Sequence, residues 1–107
     1  MGQINLSGRH EINQKLEEYK RLKDCYLIDV REEDEFAEGR IPGAINVPLS
    51  DPERIYEAVP KKTSLVYVYC QSGARARRGL KYFQKMGYQR VQAIGGIRAY
   101  KGEKETD

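Results

Sequence analysis

Cys70-Gln71-Ser72-Gly73-Ala74-Arg75 places a nucleophile, small polar residues, a glycine and a cation side by side. The reactive form of a cysteine is its thiolate, so the chemistry asked of Cys70 depends on what solvates a negative sulfur. A partner base is hard to find. The single histidine, His10, stands in a polar stretch near the amino end, which leaves Ser-His-Asp or Cys-His catalysis almost no candidate imidazole. Backbone can serve instead. A short glycine-containing loop between a strand and a helix curls so that successive N–H groups point inward, and the positive end of the helix adds to them. With Cys70 at the base of that loop, its thiolate is the anion being held and no histidine is needed. The plain alternative is an inert buried thiol, since free cysteine is among the most buried residue types. The neighbours Gln71, Ser72 and Gly73 argue against it.

The two cysteines, Cys25 and Cys70, are too few for a disulfide framework and lack the spacing of a zinc site, so neither metal nor cofactor is expected. Cys25 begins a strand whose far end carries Asp29, whereas Cys70 ends its own. In parallel strands the two thiols lie about 16 Å apart. A bridge needs Cα atoms within about 7 Å, so Cys25 reads as core or strand-edge filling and not as a resolving thiol.

The elements that must position this loop follow from periodicity. Ile12, Leu16, Tyr19 and Leu22 form one stripe of an amphipathic helix from Glu11 to Leu22. Tyr26 to Val30 reads as a strand. The acidic run Glu32-Glu33-Asp34-Glu35 suits the start of a following helix and is most simply a solvated helix start. Ala44 to Val47 reads as another short strand, and Pro48 with Ser50 opens a helix through about Val59. Leu65 to Cys70 is apolar on both alternating faces, as a central strand covered on each side must be. After Gly73, the positions Ala76, Gly79, Leu80, Phe83 and Met86 mark the buried side of a helix that Gly87 stops. Arg90 to Ile94 makes the last strand, with Gly95-Gly96 as a turn into a short helix near Tyr100. Strands alternating with helices through short loops imply an α/β fold with a mostly parallel central sheet and helices on both faces. Open parallel sheets bind ligands at the carboxyl ends of their strands, which is where Cys70 stands.

Four ordered motifs now resemble a known family. These are Asp29-Val30-Arg31, the stretch Gly39-Arg40-Ile41-Pro42-Gly43-Ala44 with Asn46 and Pro48, the loop Cys70 to Arg75, and Gly95-Gly96. Together they look like a rhodanese-like domain, nearest in shape to the single-domain bacterial sulfurtransferases, with the correspondence running from about Tyr26 to Tyr100. The resemblance implies one rhodanese-like domain over residues 1–107, with 101–107 a polar, frayed tail. It also implies double-displacement sulfur transfer. The Cys70 thiolate attacks the outer sulfur of an anionic donor, such as thiosulfate, polysulfide or a persulfide, and becomes a persulfide itself. The N–H groups of Gln71, Ser72, Gly73, Ala74 and Arg75 are placed to hold the charged terminal sulfur. A thiol or thiol-protein acceptor then removes it. A persulfide-carrier or regulatory relay module with little thiosulfate turnover is the alternative.

A cysteine phosphatase or arsenate reductase fits less well. Those enzymes hold a tetrahedral anion in a longer loop, whereas four residues separate Cys70 from Arg75 here. Arg75 either attracts the donor or pairs with a structural carboxylate, and the first is slightly favoured. Asp29 and Arg31 read as supporting residues, a strand-end ion pair or cap. Two departures from the family pattern, Arg40 for the usual histidine and Tyr100 for the usual tryptophan, leave the chemistry untouched and bear on packing or charge beside the site.

Composition agrees with these readings. The chain has 107 residues, 39% hydrophobic and 33% charged, with 19 basic against 16 acidic residues for a net charge of +3. That is ordinary for one globular core and too weak a positive field to suggest a nucleic-acid partner. The longest apolar run, Leu65 to Cys70, is six residues, too short to span a bilayer, and charges recur through the first twenty residues from Arg9 onward. No membrane partner and a cytoplasmic setting are expected. Arg77, Arg78, Lys81 and Lys85 form a basic helix face, most simply a wet surface, otherwise a means of steering anionic donors or docking an acidic acceptor. A lone domain must also build its site from its own loop, leaving the mouth open to large acceptors.

Overall fold

A computed structural model describes residues 8–107, with side chains from Glu11 onward. The chain runs α1 (Gly8–Arg21), β1 (Cys25–Asp29), α2 (Glu33–Glu38), β2 (Ile45–Asn46), a 3-10 turn (Pro52–Arg54), α3 (Ile55–Ala58), β3 (Leu65–Cys70), α4 (Ala74–Lys85), β4 (Arg90–Gly96) and a second 3-10 turn (Ile97–Ala99). The four strands form one sheet in the order β2-β1-β3-β4, with each neighbouring pair parallel.

Alternation along β3 divides the core. Leu65, Tyr67 and Tyr69 point to one face, where Ile12 and Leu16 of α1 pack with Leu27, Ile41, Ile94 and Ile97. Val66, Val68 and Cys70 point to the other, against Ala76 and Phe83 of α4 and Ile55 of α3. All six residues of β3 are buried, as the sheet's interior demands. The α/β reading with helices on both faces stands, and the described segment has no helix long and apolar enough to cross a membrane.

Four details differ from the sequence-based expectations. The helix expected from Pro48 to about Val59 is a turn at Pro48–Asp51 followed by the 3-10 turn and the four-residue α3. Pro52 can open a helical segment but cannot sit inside one, so regular helix begins only beyond it. Gly95 and Gly96 are not a turn but the last residues of β4, paired with Tyr69 and Cys70. The register skips Ile94, since Ala93 faces Val68 and Gly95 faces Tyr69, which is a bulge. The carboxyl-terminal segment is not frayed. Glu105 exchanges backbone hydrogen bonds with Arg40, and the Asp107 amide donates to the Ala37 carbonyl. Finally, α1 begins at Gly8, earlier than the first apolar residue of its stripe.

Candidate active site

Cys70 is the last residue of β3 and only 1% exposed. The chain leaves the strand through Gln71 and Ser72 and enters α4 at Gly73, whose φ of 112° lies in the left-handed region that favours glycine. This reversal turns the start of α4 back over the strand end. The Gly73 amide donates to Cys70 Sγ at 2.9 Å and the Ala76 amide donates to it at 3.3 Å. Both donors belong to the first turn of a helix, where N–H groups have no intrahelical partner and the macrodipole is positive. The sulfur is thus held by backbone at a position suited to negative charge. Of the amides expected to converge here, Gly73 is one. Ala76 lies beyond the anticipated loop and was not foreseen.

The loop is buttressed from β4. The Arg98 amide donates to the Gln71 carbonyl at 3.1 Å. A side chain at Gly96 would put its Cβ 2.2 Å from the Gln71 carbonyl oxygen, so the glycine there is a condition of close approach. Beside the loop opens a cleft of about 610 Å³, lined by Gln71, Ser72 and Gly73 of the loop together with Gly95, Arg77 and Arg98. Cys70 is not among the residues that line it.

Arg75 does not project toward the cleft. Its guanidinium forms a two-pronged pair with Glu35 of α2, Nη1 to Oε1 at 2.7 Å and Nη2 to Oε2 at 2.9 Å. The slight preference for donor attraction by its side chain is therefore corrected in favour of the structural carboxylate. A fork-shaped guanidinium meets a carboxylate with two parallel bonds, which a diffusible monovalent contact cannot match. The Arg75 hydrogen bonds, chiefly, bring the Glu35 carboxyl down to about 2, against a smaller opposing effect of burial.

Asp29 and Arg31 form a buried ion pair at 2.8 Å. The Arg31 guanidinium also donates to the Gly39 carbonyl at 2.6 Å. Asn46 Nδ2 donates to the carbonyls of Asp29 and Arg31, and the Ile41 amide donates to the buried Tyr69 hydroxyl. The stretch from Gly39 to Asn46 thus ties the end of β1 to the end of β3 and touches none of the reacting atoms. Arg40 adds no free charge to the site, because it covers the Phe36 ring at 4.6 Å and pairs with Asp107 at 2.7 Å. Tyr100, half-buried, donates to the Glu103 carbonyl. Arg77, Arg78, Lys81 and Lys85 are all exposed, as the basic face required. The side chain of His10 lies outside the described residues.

Cys25 stands at the opposite edge of the sheet, paired with Leu65, the first residue of β3. Burial pushes its thiol up to about 11, with Asp24 adding to the rise and Arg90 opposing it. Both cysteines are free.

A sequence profile of the rhodanese-like domain matches residues 9–103, extending the resemblance to include α1. The thiosulfate sulfurtransferase PspE of Escherichia coli is 39% identical over 74 residues, covering 68% of this chain and 71% of that one. A sulfurtransferase of Allochromatium vinosum is 35% identical over 99 residues, covering 91% of this chain and 88% of its own. Among solved structures, a rhodanese with anions from E. coli superposes with a TM-score of 0.72 at 34% identity, over 78% of this chain and 99% of that one.

Proposed function

The chain belongs to the rhodanese-like domain family, and from that premise we propose that it is a sulfurtransferase working through a persulfide on Cys70. The observation that carries this reading is the pair of amides, Gly73 and Ala76, aimed at Cys70 Sγ from the positive end of α4. In the first half-reaction the thiolate attacks the outer sulfur of thiosulfate. The sulfur–sulfur bond of the donor breaks, its electron pair leaves with sulfite, and a charged Cys70 persulfide remains. The same amides and the helix end stabilise that charge wherever it sits between the two sulfurs. In the second half-reaction an acceptor nucleophile takes the terminal sulfur and the pair of the broken bond returns to Cys70. No proton need be moved by a side chain, so the reaction asks for no imidazole.

The geometry favours sulfur over phosphate. Four residues span the loop, the thiol is covered, and the loop's arginine is committed to Glu35 instead of turning inward to a tetrahedral anion. Intact-mass measurement after incubation with thiosulfate tests the reading. The protein and Cys25→Ser should gain one sulfur, and Cys70→Ser none. A gain that survives loss of Cys70 overturns the mechanism. Steady conversion of thiosulfate and cyanide to thiocyanate identifies the enzyme, whereas loading by a protein donor alone identifies a carrier.

A further inference from the structure

Charge is segregated along this chain more sharply than its net value of +3 suggests. Between Glu57 and Glu103 there is no Asp or Glu, whereas ten of the 19 basic residues fall in that stretch. The fold keeps the separation, because the stretch supplies β3, α4 and β4, one half of the sheet in the order β2-β1-β3-β4. Some of these cations are used internally. Lys61 pairs with Asp24, Arg75 pairs with Glu35, and the Arg90 guanidinium donates to the Thr63 carbonyl. Arg77, Arg78, Lys81 and Lys85 are exposed on α4 and enter no ion pair or side-chain hydrogen bond among the described residues.

This basic face is unfavourable to the helix that carries it. Arg77, Lys81 and Lys85 are four residues apart, so like charges are neighbours along α4, and no acid in its first turn offsets the cations near the positive helix end. Burial of Ala76, Gly79 and Phe83 seats α4 on the sheet from its other side. A small anion at Cys70 does not account for the face either. At 1.5 Å per residue, Arg77 to Lys85 spans about 12 Å, beyond the Debye length of ~8 Å at physiological salt. Aromatic surface accompanies the charge. Tyr82 follows Arg78 by one turn and is 42% exposed. Past the helix end, Lys62 Nζ lies 3.2 Å from the point a side chain on Gly87 would occupy and 5.3 Å from the centroid of the exposed Tyr56 ring.

We propose that the solvent face of α4 is a docking surface for an acidic helix of another protein. Carboxylates four residues apart on such a helix recur at the same interval of about 6 Å as Arg77, Lys81 and Lys85, and an apolar side chain beside them covers the Tyr82 ring. A nucleic acid fits less well. The net charge is low, and the helix-start amides that would hold a phosphate are already directed at Cys70 Sγ. The row begins over the loop, where Arg77 Nη1 comes to 3.4 Å from the point a side chain on Gly73 would occupy. A helix seated on it therefore ends beside the loop that holds Cys70. The proposal concerns binding alone and stands whether or not Cys70 carries sulfur.

The probe is a capped synthetic helix with Glu at every fourth position, Leu beside each Glu and Ala elsewhere. It is titrated into nitrogen-15-labelled protein, next to a permuted peptide of the same composition and a single-stranded oligonucleotide of equal charge. Amide shifts should cluster from Arg77 to Lys85, and the patterned peptide should bind about three- to fivefold tighter than the permuted one. Lys81→Glu should weaken its binding about fivefold or more, since repulsion replaces attraction. The same substitution should raise the thermal midpoint, because it turns like-charge contacts with Arg77 and Lys85 into ion pairs. Weaker binding by a more stable fold is a combination that structural damage cannot produce. Lys104→Glu, an equal change of charge beside Gly39, should leave binding within about twofold. Absent shifts, shifts centred elsewhere, or equal binding of the two peptides overturn the proposal. Tighter binding of the oligonucleotide to the same face overturns it in favour of a nucleic acid.

Discussion

The two cysteines occupy opposite edges of one parallel sheet and differ in nearly everything except residue type. Cys70 ends β3, where the chain turns into α4 and two amides reach its sulfur. Cys25 begins β1, beside Asp24 and within the influence of Arg90, and no amide is directed at it among the described residues. Burial acts on both. At the carboxyl edge, helix starts converge, and their unpaired N–H groups turn a covered thiol into a seat for negative charge. At the amino edge the same burial simply penalises the thiolate. On the sulfur-transfer reading, reactivity is then a property of the sheet edge, conferred by backbone direction, before it is a property of the cysteine.

The sharpest way to break the comparison is to remove each sulfur in turn. Cys70→Ser should lower sulfur-transfer turnover by about 10³-fold or more, since an alcohol cannot carry the persulfide. Cys25→Ser should leave turnover within about twofold. Steady-state thiocyanate formation measures both. Comparable losses in the two variants would show that the edges are not chemically distinct.

A second measurement concerns Cys25 alone, in the Cys70→Ser background. Because its folded thiol is raised to about 11 from an ordinary value of 9.0, it holds about a hundredfold less thiolate at neutral pH than an unperturbed cysteine. Alkylation by iodoacetamide should therefore be slow at pH 7 and should climb tenfold per pH unit until close to pH 11. A plateau near pH 9 would place Cys25 in an ordinary environment and weaken the contrast.

Gly96→Ala probes the architecture of the carboxyl edge without touching a reacting group. The backbone there, at φ −133°, is open to any residue, so the cost is steric. The new Cβ would sit 2.2 Å from the Gln71 carbonyl oxygen and 2.6 Å from Ser72 Cα, and the loop must move. We expect destabilisation of about 1–3 kcal/mol, as for other overpacked sites, and a turnover loss of roughly tenfold as the Gly73 amide shifts from Sγ. Thermal denaturation and kinetics read the two effects separately.

What the sequence made legible divides along the same edge. The order of strands and helices followed from apolar spacing, because one face of each element must be buried. Cys70 and its loop were visible because a cysteine beside Gln, Ser and Gly at a strand end is a chemical pattern. The Ala76 amide was invisible, since a backbone donor has no side-chain signature and its role arises only when α4 turns back over the strand. Glu35 could not be matched to Arg75 from sequence, because 40 residues separate them and an acidic helix start accounts for Glu35 by itself. Gly95 and Gly96 looked like a turn because glycine is depleted in strands. Here the bulge and the approach of the Gln71 carbonyl require glycine inside one. Arg40 suggested charge at the site until the position of Asp107, at the far end of the chain, made the pair evident.

The smallest expected effect tests whether the Arg75–Glu35 pair fastens α2 to the active loop by charge. Glu35→Gln keeps the side chain's size, and glutamine can still accept the Glu32 amide at the helix start, so the capping contact survives. What is lost is the negative charge opposite Arg75. The folded carboxyl sits at about 2, below its ordinary value of 4.5. Its contribution to stability is therefore fully present above pH 4.5 and disappears as the pH falls toward 2, where folded and unfolded chains bind the same proton. Both side chains are about one-third exposed, which screens the pair, so we expect a difference of about 1 kcal/mol between protein and variant at pH 7. Urea denaturation across pH 7 to 2 measures it. The two stability curves should converge as the carboxyl protonates. If they stay parallel, packing and not charge holds α2 against the loop, and the carboxyl edge owes its order to the same forces as the amino edge.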